Sequence, residues 1–261
     1  MRSLDIAASG MQAQQTYVDV TSQNLANINT TAYKLQRPEF VDLLYQNERA
    51  AGSNSSDNGT IVPTGTQFGL GVRLSAIDRN TSQGTLTQTS GPTDVAIQGR
   101  GFFQVTLPDG SLGYTRDGSF QIGPDGSLVT NDGFQITPTI TIPQNATSIS
   151  IDQSGEVSVT IPGQTTPSIQ GQMQTVNFIN EAGLQAEGNN IYTETPASGS
   201  PVSDTPGKDG FGTILQGYLE SSNVNPVTEL TNLIKAQRVY EMNSKVVTKT
   251  DEMLQSLNQS V

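Results

Sequence analysis

The feature that most constrains the fold of this chain is a change of hydrophobic period between its ends and its middle. Near both ends, apolar residues recur every seven positions, the spacing that lines one seam of a helix in a coiled coil. Between the ends, apolar and polar residues alternate, as in half-buried strands. The sequence therefore predicts an α+β fold, in which N- and C-terminal helices form a coiled-coil-like domain and the centre forms an antiparallel all-β domain. The seam residues are Leu4, Met11, Val18 and Leu25 in the first helix and Leu233, Tyr240, Val247 and Leu254 in the second.

The first helix is predicted to have two apolar sides. Ile6, Ala13 and Val20 also recur every seven residues, about 200° around the helix from the seam at roughly 100° per residue. A helix with apolar stripes on opposite sides needs neighbours on both of them. No apolar cluster nearby in the sequence covers either stripe, so we expect the terminal helices to become ordered on assembly with other copies.

The second helix has a clear predicted start and a basic face. Asn225 is a favoured N-cap residue, and Pro226 suits the first helical position, where its missing N–H costs nothing. From there the helix is predicted to run to about residue 258. The side opposite the seam is either an ordinary solvated face or a surface that meets a specific environment. This basic stripe consists of Lys235, Arg238, Met242, Lys245 and Lys249.

Five segments of the middle alternate as strands do, and turn signals separate them. Asp-Gly dipeptides occur at 109–110, 117–118, 125–126 and 132–133, and Asp-Gly favours hairpins with type I′ turns. Residues 93–165 are therefore predicted to form an antiparallel meander or small barrel. The predicted strands are 95–97, 103–107, 140–142, 149–151 and 157–161.

The composition excludes most classes of enzyme. The chain has no Cys and no His, so thiolate sites, cysteine nucleophiles and histidine-dependent triads or zinc sites are impossible. The aspartates of the Asp-Gly pairs have the chemistry to serve a glycosidase or to bind calcium. Each of them precedes a Gly at a predicted turn, however, which favours a structural role. We therefore predict no catalytic residue, no cofactor and no metal ligand.

Charge and hydropathy restrict the partners. A net charge of −11 argues against nucleic acid and against anionic membrane surfaces. The longest apolar runs are three residues, so no membrane insertion is predicted, and the N-terminus lacks the apolar stretch of a cleavable signal peptide. Two stretches rich in Gly, Ser and Pro, 46–71 and 196–212, are predicted to be linkers or segments that order only against a neighbour.

Stretches across the whole chain resemble the bacterial flagellar rod, hook and hook-junction proteins. Residues 24–34 (NLANINTTAYK) are similar to the N-terminal signature of that family. One departure is Ala32, where the family usually has a Gly, the residue that best tolerates a positive φ. The centre is similar at DVAIQGRGFFQV (94–105), YTRDGSF (114–120) and NNIYTET (189–195). Residues 221–255 resemble the C-terminal signature, in particular at Gln237, Arg238, Tyr240, Glu241, Asn243, Lys245, Asp251, Met253 and Leu254.

The resemblance implies a structural subunit that leaves the cell through the flagellar type III export gate without a cleaved signal peptide. It implies polymerisation into a hollow helical drive shaft, which runs from the periplasm to the outer membrane, transmits torque from motor to hook and conducts later subunits. Terminal helices would form the inner tube, with the basic stripe lining its channel and the β domains outside. The implied partners are further copies, the proximal rod proteins, the hook protein and the P-ring and L-ring proteins.

The length of the chain fits the distal rod subunit of this family best, and the proximal rod or a hook-type subunit is the alternative. Residues 46–71 resemble an extra segment of distal rod subunits that is thought to brace neighbours. The predicted domains are a helical domain (1–32 with 222–261), an extended connecting domain (33–92 with 205–221) and a β domain (93–204).

Proteins of another class also combine an acidic β domain with coiled-coil heptads, and they are an alternative interpretation of this sequence. A secreted trimeric fibre or adhesin would have one continuous coiled coil, whereas this chain divides its heptads between both ends. An acidic carbohydrate-binding module is a further alternative. The divided heptads favour helical assembly.

Overall fold

Two long helices flank the strands in the computed structural model, which describes residues 2–52, 63–164, 166–208 and 210–259. Helix α1 is Arg2–Ala26 and helix α2 is Pro226–Gln259. Helix α2 begins as predicted, because the backbone N–H groups of Val227 and Thr228 donate to Oδ1 of Asn225 at 3.0 and 3.2 Å. This N-cap satisfies two of the N–H groups that a first turn leaves unpaired.

Twenty short strands lie between the helices in the described residues, and one turn of 3-10 helix, Glu181–Gly183, interrupts them. The helices and the antiparallel strands together confirm the predicted α+β fold class. The strands are β1 (Gln36–Asp42), β2 (Tyr45–Arg49), β3 (Thr66–Gly69), β4 (Val72–Arg79), β5 (Leu86–Gln88), β6 (Val95–Gln98), β7 (Phe102–Thr106), β8 (Leu112–Thr115), β9 (Gln121–Ile122), β10 (Leu128–Val129), β11 (Gln135–Thr137), β12 (Ser148–Ile151), β13 (Glu156–Thr160), β14 (Ser168–Gln172), β15 (Thr175–Asn177), β16 (Gln185–Gly188), β17 (Ile191–Thr193), β18 (Val202–Asp204), β19 (Thr213–Gln216) and β20 (Tyr218–Glu220).

The chain groups into two compact units. The helical unit contains α1, α2 and Gln36–Asp78, and the β unit contains Asn27–Leu35 and Arg79–Val224. The chain therefore crosses between the units four times, after residues 26, 35, 78 and 224. The connecting domain predicted at 33–92 is shared between the two units, so the three-part division stays a prediction about the assembled protein.

The largest sheet of the β unit is built around β7. This strand pairs with β8, β11 and β15, so that Phe103 lies opposite both Thr115 and Thr175. The order along the sheet is β16-β17-β8-β7-β11-β10-β9, and β15 joins β7 to β18. The meander predicted over 93–165 is therefore too short, because strands from residues 175–204 complete the sheet. A separate three-stranded sheet has the order β12-β13-β14.

The β unit has an apolar core of its own. Phe103 and Phe120 meet edge to face with ring centroids 5.1 Å apart, and Tyr114 meets Phe178 in the same way at 4.8 Å. Ring pairs of this kind contribute about 0.5–1.5 kcal/mol beyond the area that they bury. These contacts hold the strands from 102–120 against the strand that follows residue 174.

Three of the four Asp-Gly pairs form turns, but not turns of the predicted type. The glycines of these three, Gly110, Gly126 and Gly133, have positive φ while the preceding aspartates do not, and each Gly N–H donates to the carbonyl three residues earlier. This is a type I turn followed by a left-handed Gly. The geometry of a type I′ turn occurs instead at Asn189 and Asn190, with φ of +51° and +59°, between β16 and β17. Asp117-Gly118 lies in irregular backbone.

Two other expectations need correction. Residues 140–142, predicted as a strand, make only an isolated bridge from Thr141 to Ser127, although Ile140 and Ile142 are buried in the core. The stretch 46–71 contains most of the β2–β3 hairpin on either side of residues 53–62, which lie outside the described residues. The stretch 196–212 contributes β18 to the largest sheet.

Candidate assembly surface and buried charge cluster

The heptad seam of α2 is only partly covered within the helical unit. Among the side chains of this helix that the structure describes, Glu229 and Ala236 are buried, with 6% and 3% exposure. Tyr240 is exposed to 43%. The other predicted seam residues, Leu233, Val247 and Leu254, are half-buried.

Helix α1 buries its second apolar stripe more deeply than its seam. Ala13 and Val20 are buried, at 7% and 4% exposure, while Ile6 at the end of that stripe is exposed. Because the seam remains partly accessible, the described residues of the helical unit leave apolar surface on both helices, as expected for a helix with two apolar sides. The half-buried seam residues are Leu4, Met11, Val18 and Leu25.

A buried amide links the two helices to strand β1. Asn24 Nδ2 donates to Glu229 Oε2 at 3.0 Å and to the Gln36 carbonyl at 2.8 Å, and Asn24 Oδ1 accepts the Gln36 N–H at 3.0 Å. A buried polar group has its partners at only one alignment of the helices, so such a contact sets their register.

A close approach between the helices depends on a small residue. A Cβ added at Gly10 of α1 would lie 2.9 Å from Nδ2 of Asn243 in α2. On the same helix, Ser9 Oγ donates to the Ile6 carbonyl and accepts the Val72 N–H at 3.3 Å. The start of α1 is thus fixed both to α2 and to β4.

The basic stripe of α2 lies on the exposed side of the helix. All five of its residues are exposed, and Lys249 pairs with Glu252 on the same helix at 2.7 Å. This side is not uniformly polar, because the first two turns expose Val227, Leu230 and Ile234. The predicted stripe therefore occupies only the later turns.

A buried ionic cluster lies in the β unit, where residues 27–35 meet β20. Glu220 Oε1 accepts a hydrogen bond from Lys34 Nζ at 2.6 Å, and Oε2 accepts one from Arg116 Nε at 2.7 Å. The side chains are 1% exposed for Glu220 and 4% exposed for each cation. Oε1 also accepts the Gly84 N–H at 2.7 Å. One anion therefore serves two cations.

Backbone carbonyls stabilise the second positive charge. Arg116 Nη1 donates to the Gly101 carbonyl at 2.8 Å, and Nη2 donates to the Gly99 carbonyl. Lys34 Nζ donates to the Ser82 carbonyl at 2.9 Å. Buried charges are tolerated when all of their hydrogen-bonding positions are occupied in this way.

The environment of this cluster shifts its titration. Burial alone would raise the pKa of Glu220, but Arg116 and Lys34 together outweigh it and lower the pKa below its usual 4.5. Burial lowers the pKa of Lys34, and the positive charge of Arg116 adds to this effect, while Glu220 opposes it without cancelling it. The carboxyl is consequently ionised at neutral pH.

Ala32, next to the cluster, adopts the left-handed conformation. Its φ is +57°, it is 3% exposed, and its N–H donates to the Glu220 carbonyl at 2.7 Å. An L-residue in this region costs about 1–2 kcal/mol, which Gly avoids. The backbone therefore keeps a geometry that suits Gly even though the sequence has Ala.

Sequence reasoning missed the ionic cluster, since Lys34 and Glu220 are 186 residues apart. One signal was present. Lys34 is the only charged residue between Asp19 and Arg37, and an isolated charge in an uncharged stretch is a candidate for a buried pair. Among the described residues, no helix combines the length and apolar character that crossing a membrane requires.

Known families match three parts of the chain. "Flagella basal body rod protein" matches residues 4–34, "Flagellar hook protein FlgE/F/G D1 domain" matches 96–159, and "Flagellar basal body rod FlgEFG protein C-terminal" matches 215–260. These parts cover both terminal helices and much of the β unit. The chain therefore belongs to the family of flagellar basal-body rod and hook proteins.

Within this family, relatives that share about half of their residues with this chain carry the name FlgG. The Caulobacter vibrioides flagellar basal-body rod protein FlgG is 53% identical over 99% of both chains, and that of Buchnera aphidicola is 51% identical over 98% of both. The FlgF protein of Caulobacter vibrioides is 33% identical over 95% of this chain and 94% of its own. The identity is thus markedly higher with FlgG than with FlgF.

Proposed function

We propose that this chain is the distal rod subunit of the bacterial flagellum, a structural protein that polymerises into a hollow helical drive shaft. The observation that carries this proposal is identity of about half of all residues with FlgG proteins over nearly the whole length of each. The lower identity with FlgF supports the distal position over the proximal one. The subunit is a component of the basal body and performs no catalysis.

The terminal helices are the assembly elements in this proposal. Seven of their eight seam residues are half-buried in one copy and Tyr240 is exposed, which leaves apolar surface for helices of neighbouring copies in a coiled-coil-like inner tube. Complete burial of an apolar side chain stabilises by about 1.5–3 kcal/mol. Eight seam residues per subunit thus provide ample driving force for polymerisation.

The basic stripe is proposed to line the channel of the tube. All five residues are exposed on the side of α2 away from its seam. A channel that carries unfolded chains must not retain them, and hydrated charges bind water more strongly than they bind a passing apolar segment. The Lys249–Glu252 pair lowers the net charge of that wall.

The proposed partners are further copies of the chain, the proximal rod proteins, the hook protein and the P-ring and L-ring proteins. The chain is proposed to be exported without a cleaved signal peptide and to lie between the periplasm and the outer membrane. Its net charge of −11 supports the absence of nucleic acid among its partners.

The test is a deletion strain complemented with seam variants. Basal bodies from the deletion strain, viewed by electron microscopy, should have truncated rods without hooks. Leu254→Asp should fail to restore them, because a half-buried seam position would receive a charge, whereas Gln255→Asp at the exposed neighbouring position should restore them. Hooked basal bodies in the deletion strain would refute the proposal.

The purified chain also distinguishes a rod from a trimeric fibre. Size-exclusion chromatography at increasing concentration should give monomers and then long polymers. A discrete trimer at every concentration would favour the fibre instead.

A further inference from the structure

The positions where the chain enters and leaves the β unit are tied together by one side chain. Of the four crossings between the units, one lies between residues 35 and 36, one between 78 and 79, and one between 224 and 225. Asn223 lies two residues before the last of these crossings. Within the β unit it is bonded to the residues beside the other two, as its contacts show.

Asn223 uses its side-chain amide and its backbone N–H for this purpose. Its Oδ1 accepts the Leu35 N–H at 2.7 Å, and its backbone N–H donates to the Tyr33 carbonyl at 3.3 Å. Its Nδ2 donates to the carbonyls of Asn80 and Ser82, both at 3.0 Å. The Asn80 N–H donates in turn to the Leu35 carbonyl at 2.8 Å, which closes the group.

The fourth crossing, after residue 26, is followed by a segment that the ionic cluster holds. Lys34 Nζ donates to the same Ser82 carbonyl that accepts from Asn223, and it pairs with Glu220. Upstream, the Thr31 carbonyl accepts Nδ2 of Asn190 at 3.1 Å. The segment that follows the fourth crossing is therefore held within the β unit at Thr31 and Lys34.

We propose that Asn223, together with Leu35, Asn80 and Ser82, is a crossing lock: it fixes the connecting segments where they leave the β unit, so that these segments do not act as hinges under torque. Hinges in proteins are a few positions whose φ and ψ are free to change. Hydrogen bonds from the side chain of Asn223 to two other connecting segments, at Leu35 and at Asn80 and Ser82, restrict that freedom. This inference rests on the proposed function as a torque-transmitting subunit.

The first test is amide hydrogen exchange of the purified full chain carrying Asn223→Ala. Loss of a hydrogen bond worth about 1–1.5 kcal/mol corresponds to about 5-fold to 13-fold more frequent opening, so exchange at the Leu35 amide should rise about 10-fold. Amides of β7 in the core should be unchanged. The matched control is Asn131→Ala, which removes an exposed side chain bonded to Gln121 and Ser119.

A second variant separates the two halves of the lock and covers the case in which Asn223→Ala does not fold. Asn223→Asp keeps an oxygen for the Leu35 N–H but places the other oxygen against two carbonyls. Exchange at Leu35 should stay slow while exchange over residues 80–84 rises about 10-fold. Unchanged exchange over 80–84, or an equal rise at β7, would overturn the lock as a local device.

The functional readout is torsional stiffness of the basal body in a complemented deletion strain. Asn223→Ala or Asn223→Asp should permit hooks and filaments but increase the torsional compliance measured on a tethered bead at least twofold, while Asn131→Ala should not. If the Asn223 variants show faster amide exchange but the torsional compliance of the wild type, the crossing lock is refuted while the proposed function stands. Failure of the wild-type gene to restore rods in that strain would instead refute the proposed function.

Discussion

Replacement of Glu220 by Gln is expected to destabilise the β unit strongly. The substitution keeps the shape of the side chain but removes the anion that serves Lys34 and Arg116, both 4% exposed. A Gln also places its NH2 group against one of the two cationic donors, Lys34 Nζ or Arg116 Nε, whose hydrogen bonds the carboxylate accepted. Two buried cations would then have only one amide oxygen and the backbone carbonyls as partners, with no negative charge between them.

The magnitude follows from the ways in which the protein relieves that charge. Removal of one partner from a buried ion pair costs about 3–5 kcal/mol. Arg116 stays protonated, so the buried positive charge can be reduced only by deprotonation of Lys34. For a lysine with a pKa of about 10.4, deprotonation at pH 7 costs about 4.6 kcal/mol. Both routes indicate a loss of about 3–5 kcal/mol. At about 2–4 °C per kcal/mol for a unit of this size, the melting temperature should fall by roughly 10 °C.

Calorimetry and urea denaturation of the full chain measure this loss. The control is Glu156→Gln, an exposed carboxylate, for which the free energy of unfolding should change by less than about 0.5 kcal/mol. Adding Lys34→Met to the Glu220 variant should recover part of the stability, since it removes the uncompensated charge. A Glu220→Gln protein that melts within about 2 °C of the wild type would refute this reasoning.

The same cluster predicts how stability depends on pH. The folded pKa of Glu220 lies below its usual 4.5. The stabilisation from its ionised form is therefore complete above that usual value and is lost as pH falls through the folded pKa. The difference in stability between wild type and Glu220→Gln should be constant near neutral pH and should shrink as pH falls below about 4.5. A difference that does not change with pH in acid would contradict this assignment.

The other predictions concern backbone strain, helix pairing and transport. Ala32→Gly should leave the melting temperature unchanged or slightly raised, because relief of about 1–2 kcal/mol of backbone strain offsets the loss of a buried methyl group worth about 0.8 kcal/mol. Ala32→Val should lower the melting temperature clearly. The opposite order of melting temperatures, measured by calorimetry, would contradict this reasoning. Gly10→Leu should cost about 1–3 kcal/mol and weaken polymerisation seen by light scattering, since its side chain meets Asn243. Lys245→Leu with Lys249→Leu should permit rod assembly but slow filament growth, and normal growth would count against the proposed channel lining.

The elements that depend on local pattern were predictable, and their partners were not. The seven-residue period predicted both helices, and Asn225 predicted the start of α2, because helix formation and capping involve residues within a few positions of each other. The Asp-Gly pairs predicted turns correctly at three places but predicted their type wrongly. Turn type depends on the twist and register of the paired strands, which the dipeptide does not specify.

The candidate assembly surface was predicted as a set of residues, and the structure added how far each is covered. Leu254 and its fellow seam residues form one side of their helices, as the period requires. That Ala13 and Val20 are buried more deeply than the seam depends on how α1, α2 and β1 pack, with Asn24 bonded to Glu229 and Gln36. No periodicity records which of two apolar stripes a neighbouring element will cover.

Periodicity, capping residues and the absence of Cys and His already define a helix-flanked β protein without thiol or imidazole chemistry, because these properties belong to short windows of sequence or to composition alone. The pairing of β7 with β15, the convergence of Lys34 and Arg116 on Glu220, and the two connecting segments bonded by Asn223 are decided only in the folded chain. Each joins residues many tens of positions apart, and the free energy of such a contact depends on burial that exists only once the surrounding core has formed.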